Sequence, residues 1–378
     1  MSRPRWRYLA DDGVGAAFGL AADEVVTHRQ GTGASPPTLR LYTYRTHCAL
    51  VGRFQRAASE LRLDECRNAG VDVNRRPTGG GAIIMGADQL GVAIMVPAPG
   101  AERSYERARE LFTRFSAGLI EALRGLGIAA EYRRKNDLEV ASRKIAGLGI
   151  YFDPAGGLLF HASLLVDLDV GFMLRVLRTP FEKISDKEIA TVAERMTTVR
   201  RETGRAITLD EVRGRVADGY ARTLGVELCA GGFSSEEVEE IDGLVRARYA
   251  TEEWLSREPA TPDAMGSATV KTEGGLLTAQ LTLAGDVIKA VYLTGDFFAD
   301  ETTLAAMERA LRWHPADPDA VLATLEGLRE REGVALPRVP SPAVVEAVRR
   351  AADATQQHER RGLSKGCFVT IRKASDAD

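Results

Sequence analysis

Arg75-Arg76-Pro77-Thr78-Gly79-Gly80-Gly81-Ala82 runs into two apolar stretches, 82–85 and 91–96, joined by Gly86-Ala87-Asp88-Gln89. That order reads as a β-hairpin. A dinucleotide-binding or P-loop unit would open a helix directly after its glycines, so a doubly wound parallel sheet is disfavoured. A Walker A loop is excluded, because no Lys-Ser or Lys-Thr follows at the needed spacing. The stretch therefore predicts an α+β chain built on a mixed, mainly antiparallel sheet with flanking helices.

Upstream, Phe18, Ala21, Ala22, Val25 and Val26 fall at helical spacing, and 31–37 is rich in breakers. The segment 38–44 alternates Leu39, Leu41 and Tyr44 with polar residues, as a half-buried strand does. Ser59 reads as the cap of a helix over 60–69, and 71–74 as a strand entering the glycine loop. Downstream, Ser104 caps a helix with Leu111, Phe112, Phe115, Leu119 and Leu123 on one stripe. The turn 153–157 leads into a strand at 158–166, making a second hairpin, and 172–250 reads as helical and charged. After an irregular stretch at 254–266 come a three-strand meander (268–271, 276–283, 287–293) and helices at 301–313 and 318–332. The expected organisation is a first domain over 1–250, a smaller α/β accessory domain over 251–335 and a helical tail over 336–378 with one strand at 367–371.

The chain has 378 residues, enough for two domains. Its 44% hydrophobic and 27% charged residues are those of an ordinary globular protein. A formal net charge of -3 is too balanced to point to nucleic acid or an anionic membrane. No apolar run approaches the ~18 residues of a membrane span, and the first residues lack the apolar core of a secretion signal. Cys48, Cys66, Cys229 and Cys367 lie far apart without CxxC spacing. A reduced, cytoplasmic protein is expected, with no nucleic-acid or membrane partner.

Consecutive glycines let a backbone approach a ligand and aim several N–H groups at one anion. Arg75 and Arg76 offer planar forks for phosphate or carboxylate oxygens, and Thr78 adds a hydroxyl. The same octapeptide also fits a tight turn with two solvated arginines. Lys135-Asn136-Asp137-Leu138 precedes Arg143-Lys144-Ile145-Ala146-Gly147, and Asn136-Asp137 fits a plain connection to a strand. Lysine is scarce in this Arg-rich chain, and none precedes Lys135, so Lys144 is a poor candidate for filler. Turned inward it would bridge phosphate or acyl-carbonyl oxygens; turned outward it would snorkel at the surface. His161 interrupts the apolar run Leu159-Phe160-His161-Ala162-Ser163-Leu164-Leu165, as a ligand-facing or a satisfied core histidine does.

Taken together, RRPTGGGA, NDLEV, RKIAG and HASLLVDLD resemble the catalytic domain of lipoate–protein ligase A and its relatives (the biotin/lipoate ligase-like fold). Leu50-Val51-Gly52-Arg53-Phe54-Gln55 is similar to that family's strand before the glycine loop, and Gly295-Asp296-Phe297-Phe298 to its accessory domain. The resemblance covers about residues 5–333. It implies an acid–amino-acid ligase: lipoate and ATP give a lipoyl-adenylate, and a carrier lysine then takes the acyl group as an amide. The implied partners are lipoyl carrier domains, such as acyltransferase subunits of 2-oxoacid dehydrogenases or a glycine-cleavage carrier protein. ATP and Mg²⁺ are the implied cofactors and lipoate the substrate. The match carries catalysis onto Lys144 and Asp137, with Asp137 holding Mg²⁺ or orienting phosphates. It carries ligand contact onto Arg75, Arg76, Thr78, Gly79, Gly80, Gly81, Ala82, Ile83, Ile84, Asn136, Lys144 and His161.

The chain departs from the family in carrying Met85-Gly86 where His-Asp is usual and Ala162-Ser163 where a small residue and Thr are usual. The first change bears on the acyl end of the pocket, and so on lipoate against octanoate. The alternatives are an octanoyl/lipoyl transferase of the same fold, which works without ATP, or a non-catalytic carrier-binding protein. A transferase that uses a cysteine would carry it near the Asn-Asp element or the Lys, and Tyr132-Arg133-Arg134-Lys135 has none. Biotin–protein ligase would show a Gly-Arg-Gly-type loop in place of RRPTGGG.

Overall fold

The computed structural model describes residues 3–98, 108–133, 136–178, 186–256 and 266–364. Ser104, Lys135, Cys367 and the expected strand 367–371 lie outside them. The chain divides into two compact units, one of Met1–Glu258 with Gly295–Asp300, the other of Pro259–Thr294 with Glu301–Asp378.

The first unit opens with β1 (Arg5–Val14), α1 (Ala16–Gly31), β2 (Thr38–Tyr44) and β3 (Cys48–Val51). Two short helices, α2 (Ala57–Glu60) and α3 (Leu63–Asn68), lead to β4 (Asp72–Arg75), β5 (Ile83–Met85) and β6 (Gln89–Pro97). Then come α4 (Ala108–Gly125), β7 (Glu131–Arg133), β8 (Asp137–Val140), β9 (Arg143–Phe152) and β10 (Gly157–Leu165). The unit closes with α5 (Val170–Val176), α6 (Asp186–Ala193), α7 (Val199–Thr203), α8 (Leu209–Leu224), β11 (Glu227–Ala230), α9 (Ser235–Leu244) and α10 (Glu252–Ser256).

Eight strands form one sheet in the order β11-β1-β2-β6-β10-β9-β8-β7. Within it only β1 pairs in parallel, with β2 and β11; the other pairs are antiparallel. The mixed, mainly antiparallel α+β class read from the glycine loop is thus the class observed. Helices α4 and α8 cover one face, where Leu111, Phe115 and Leu119 meet Leu41, Val92 and Ile94. A Cβ on Gly118 would fall 2.2 Å from the Tyr220 ring, which shows how closely those two helices approach. On the other face α1 sets Leu20, Val25 and Val26 against Met95 and Leu159.

Three local expectations are overturned, the first being the Ser59-capped helix over 60–69: Ser59 lies inside α2, and extended Leu61 separates it from α3. The strands flanking Gly86–Gln89 do not form a hairpin: β5 pairs with β3 in a separate three-stranded sheet, and β6 with β2 and β10 in the large one. Both runs are buried, so each finds partners elsewhere instead of leaving one face to water. Likewise β2 is buried along its whole length rather than on one face. Its Arg40 is tolerated there because Asp11 (2.7 Å) and Asp23 (2.8 Å) neutralise it. The hairpin at 153–157 does form, closing β9 onto β10, with Asp153 N–H donating to Gly157 O.

The second unit holds β12 (Gly266–Thr272), β13 (Gly275–Ala284), β14 (Val287–Gly295), α11 (Glu301–Leu311), β15 (His314–Pro315), α12 (Pro318–Glu332) and α13 (Ser341–Ser364). The first three strands are the meander expected from the sequence. Helix α13 lies on β12 and β13 and buries Val344, Ala347, Val348 and Ala351. Gly266 N–H donates to Thr355 Oγ1 at 3.0 Å, so α13 packs into this unit's core as far as Thr355 instead of standing apart as an appended tail.

Candidate active site

Strand β8 turns into β9 through Ala141 (φ 47) and Ser142 (φ 65), a two-residue loop of left-handed conformation suited to a tight hairpin. The register sets Asp137 opposite Gly147 and Glu139 opposite Lys144, with a bulge between Leu138 and Glu139. Across that hairpin Lys144 Nζ lies 2.7 Å from Asp137 Oδ1. A Cβ on Gly147 would sit 3.2 Å from the same Nζ, so this glycine gives the ammonium its room. The backbone of Lys144 is pinned from outside the hairpin: its N–H donates to Arg195 O and its carbonyl accepts from Thr197 N–H, both at 2.9 Å.

Lys144 faces inward. With Asp137 it lines a cleft of about 270 Å³ that is polar at one end and apolar at the other. The polar end also holds Arg76, Gly81, Asn136, His161, Ser163 and Asp296; the apolar end holds Leu20, Tyr42, Tyr44, Leu50, Ile83 and Met85. All of these residues belong to the first unit.

The glycine loop divides its labour. A Cβ on Gly79 would sit 2.2 Å from Phe297 O, and one on Gly52 would sit 1.9 Å from Gly80 O. Gly80 itself takes φ +94, open to glycine but strained for other residues. Gly81 has open space at the Cβ position and faces the cleft. So Gly79 and Gly80 serve close backbone packing, and Gly81 opens onto the cleft.

The two arginines part company too. Arg75 is fully buried and donates to the carbonyls of Gly52, Arg53, Gln55, Trp254 and Leu255. It braces the loop from behind and does not line the cleft, which corrects its reading as a phosphate fork. Arg76 does line it, while donating to the carbonyls of Leu50 (2.7 Å), Gly81 (2.8 Å) and Gly79 (3.3 Å). Burial lowers its pKa to about 10, so it stays charged at neutral pH. Among the described residues no carboxylate pairs with it. A buried cation without a protein counter-charge favours an anionic or strongly polar ligand group.

His161 accepts or donates at Thr78 Oγ1 (2.9 Å), and its pKa is driven down to about 3 by burial and by Arg76. It is a neutral ring. Its room comes from the facing strand, where a Cβ on Gly149 would fall 2.2 Å from Nε2. Thr78 thus acts behind the cleft through His161. Asn136 lines the cleft and donates Nδ2–H to Leu148 O at 3.1 Å. Strand alternation turns Ile83 into the cleft and Ile84 away from it, into the cluster with Ala49 and Val51. Ala82 is on the wall.

Met85, Ser163 and Asp296 are wall residues that the motifs alone do not assign. Met85 stands where the family's His is usual, and it is buried. Its neighbour Gly86 abuts His47, whose ring would be 2.9 Å from a Cβ there. Asp296 had a signal in the Gly-Asp-Phe-Phe run, but only the fold brings it to the cleft. Asp137 Oδ1 is held by Lys144, and among the described residues no group of three His, Cys, Asp or Glu forms a metal site.

Residues 15–221 match the family described as the Lipoyl protein ligase A/B catalytic domain. The chain belongs to that family. An octanoyltransferase LipM of Brevibacillus brevis is 29% identical over 276 residues, covering 67% of this chain and 99% of that protein. Among solved structures, a bi-partite lipoate protein ligase of an archaeal lipoylation system from Thermoplasma acidophilum is 26% identical with a TM-score of 0.60. It covers 69% of this chain and 100% of its own. A P. falciparum LipL1 in complex with lipoate is 15% identical and shares the fold, with a TM-score of 0.70 over 93% of this chain and 99% of its own. The family match reaches across β8, β9 and β10, which carry Asp137, Lys144 and His161.

Proposed function

We propose that the protein is an acyltransferase that moves an octanoyl or lipoyl chain from an activated donor onto a lysine of a lipoyl carrier domain. The observation that carries this reading is Lys144, held by Asp137 at the polar end of a cleft whose other end is apolar. The similarity to an octanoyltransferase over nearly that protein's whole length supports the acyl group. The Thermoplasma ligase belongs to a lipoylation system with an E2 lipoyl domain, which supports the acceptor class.

In this reading the chain lies along Tyr42, Leu50, Ile83 and Met85. The carbonyl to be attacked sits beside Lys144, whose ammonium stabilises the oxyanion that develops there. Arg76 keeps the polar end positive for a carbonyl or an anionic leaving group. Among the described residues the cleft lining contains no thiol: Cys48 is buried behind the apolar wall in the cluster that holds Tyr42, Tyr44, Leu50 and Met85, Cys66 is buried in a separate cluster, and Cys229 lies on β11. In this reading the acyl group passes directly from donor to acceptor amine.

A second reading is favoured by Arg76 and the open face of Gly81: ATP-dependent activation of free lipoate or octanoate, with Mg²⁺ accompanying the nucleotide. One assay separates the two. Purified protein and an unmodified lipoyl domain are mixed either with an octanoyl thioester of a carrier protein or with free acid and MgATP, and the acceptor is weighed by mass spectrometry. Octanoylation from the thioester without ATP is the expected result. Modification only with free acid and MgATP would replace it by the ligase reading. No modification under either condition, with carrier binding retained, would leave a binding protein.

A further inference from the structure

Strands β9 and β10 pair so that Gly147 faces Ser163 and Gly149 faces His161. Each glycine leaves a gap on its strand, and each gap receives a polar side chain from the other. A Cβ on Gly149 would fall 2.2 Å from His161 Nε2. One on Gly147 would fall 3.4 Å from Ser163 Oγ and 3.2 Å from Lys144 Nζ. The second gap is therefore flanked by a hydroxyl from one strand and an ammonium from the other, and all three residues line the cleft.

The two polar side chains of β10 are used differently. His161 is bonded to Thr78 Oγ1. Ser163 is half-buried, and among the described residues no protein group hydrogen-bonds to its hydroxyl. Other side-chain donors at the polar end already serve the protein: Arg76 donates to the carbonyls of Leu50, Gly79 and Gly81, and Asn136 to that of Leu148. Lys144 is paired with Asp137, and its ammonium has further N–H bonds to give. An oxygen resting above Gly147 meets that ammonium on one side and the Ser163 O–H on the other. The hydroxyl contributes a directed donor without adding net charge.

We infer that Ser163 is a catalytic residue: its hydroxyl joins the Lys144 ammonium in holding the acyl carbonyl oxygen above Gly147 and in stabilising the oxyanion formed there. The inference rests on the acyl-transfer reading above and supplies that reading with a second oxyanion donor. The carrier ammonium first loses a proton to water. The lone pair of the resulting amine forms the C–N bond, and the carbonyl π pair moves onto oxygen, where the Ser163 O–H and a Lys144 N–H meet it. That pair returns as the C–S bond breaks, and the electrons of the broken bond leave with the donor thiolate. The extra proton on nitrogen passes to the thiolate or to water. Ser163 forms no covalent bond and keeps its own proton.

Two measurements test this, with the octanoyl thioester of a carrier protein as donor and a lipoyl domain as acceptor. In Ser163→Ala, kcat should fall about 100-fold while KM for the donor stays within about threefold, and Ser163→Thr should restore much of the rate. In the infrared, the carbonyl stretch of a bound donor analogue, a ¹³C-labelled ketone with CH₂ in place of the thioester sulfur, should lie at higher frequency in Ser163→Ala than in the parent protein, because one hydrogen bond to oxygen is gone. A Ser163→Ala protein with kcat within about threefold of the parent would overturn the assignment, as would an unmoved carbonyl band or a loss confined to KM. If the unsubstituted protein transfers no acyl group from the thioester, the acyl-transfer reading itself fails and takes the role of Ser163 with it.

Discussion

Lys144 Nζ and Asp137 Oδ1 face each other at 2.7 Å across a two-residue hairpin, with both side chains about a third exposed (33% and 30%). In that setting an ion pair contributes little to stability, ~1 kcal/mol or less. Its value is positional: it fixes an ammonium over Gly147 and beside Ser163.

Lys144→Ala should therefore cut carrier acylation by about 100-fold or more, the loss expected of one oxyanion-stabilising group. Its melting temperature should move by no more than about 2 °C. Lysine acylation by mass spectrometry and a thermal melt measure both. A variant that keeps near-parental turnover would remove Lys144 from the chemistry.

The glycines make opposite predictions at neighbouring positions. Gly52→Ala and Gly79→Ala force a Cβ onto backbone carbonyls, at 1.9 Å from Gly80 O and 2.2 Å from Phe297 O. Each should cost ~1–3 kcal/mol of stability. Gly81→Ala meets no protein atom within 4 Å and should melt like the parent, yet raise KM for the acyl donor, since its methyl enters the cleft. A Gly81→Ala protein as unstable as Gly79→Ala would contradict this division.

Acid should strike through His161. Burial and the charge of Arg76 hold its pKa at about 3, against 6.5 for an unperturbed ring. Between those values the unfolded chain binds a proton that the folded one refuses, so protons favour unfolding. The contribution of the neutral ring is complete above pH 6.5 and is lost progressively as the pH falls toward 3. His161→Gln, which can still bond to Thr78, should show a shallower fall in melting temperature between pH 6.5 and 4 than the parent. Parallel curves would mean that other groups govern acid unfolding.

Met85 bounds the apolar end, so Met85→Ala should lengthen the chain that fits. Each added methylene that becomes buried is worth ~0.8 kcal/mol, so two carbons should shift preference toward a decanoyl donor by roughly tenfold. Competition between octanoyl and decanoyl thioesters reads the ratio directly. An unchanged ratio would put the limit of chain length elsewhere, at Tyr44 or Leu50.

Much of this architecture is legible in short-range patterns. The turn at 153–157 closes the hairpin it announces, the meander of the second unit lies where its turns place it, and Lys144 stands out because lysine is rare around it. Other features depend on distant partners. Arg75 and Arg76 are adjacent and alike in sequence, yet one braces carbonyls of α10 and the β3 loop while the other faces the cleft; only the three-stranded sheet separates them. The polar positions of β2 look solvent-facing because the buried partner of Arg40, Asp23, sits on α1. The apolar runs around Gly86 imitate a hairpin because a local reading has no access to β3, the strand that captures one of them. Asp296 falls within a quoted motif, but nothing local tells that it stands on the same wall as Lys144, more than a hundred residues away in sequence.

The discontinuity at Gly295–Asp300 limits how this molecule can be dissected. Expressing the chain only as far as Glu258 would take the Phe297 ring from Phe54 and the Phe298 ring from Phe112, and leave the glycine loop uncovered on one side. Any shortened version meant for crystallisation or screening must therefore carry those six residues back as a grafted loop, or retain the entire sequence that delivers them.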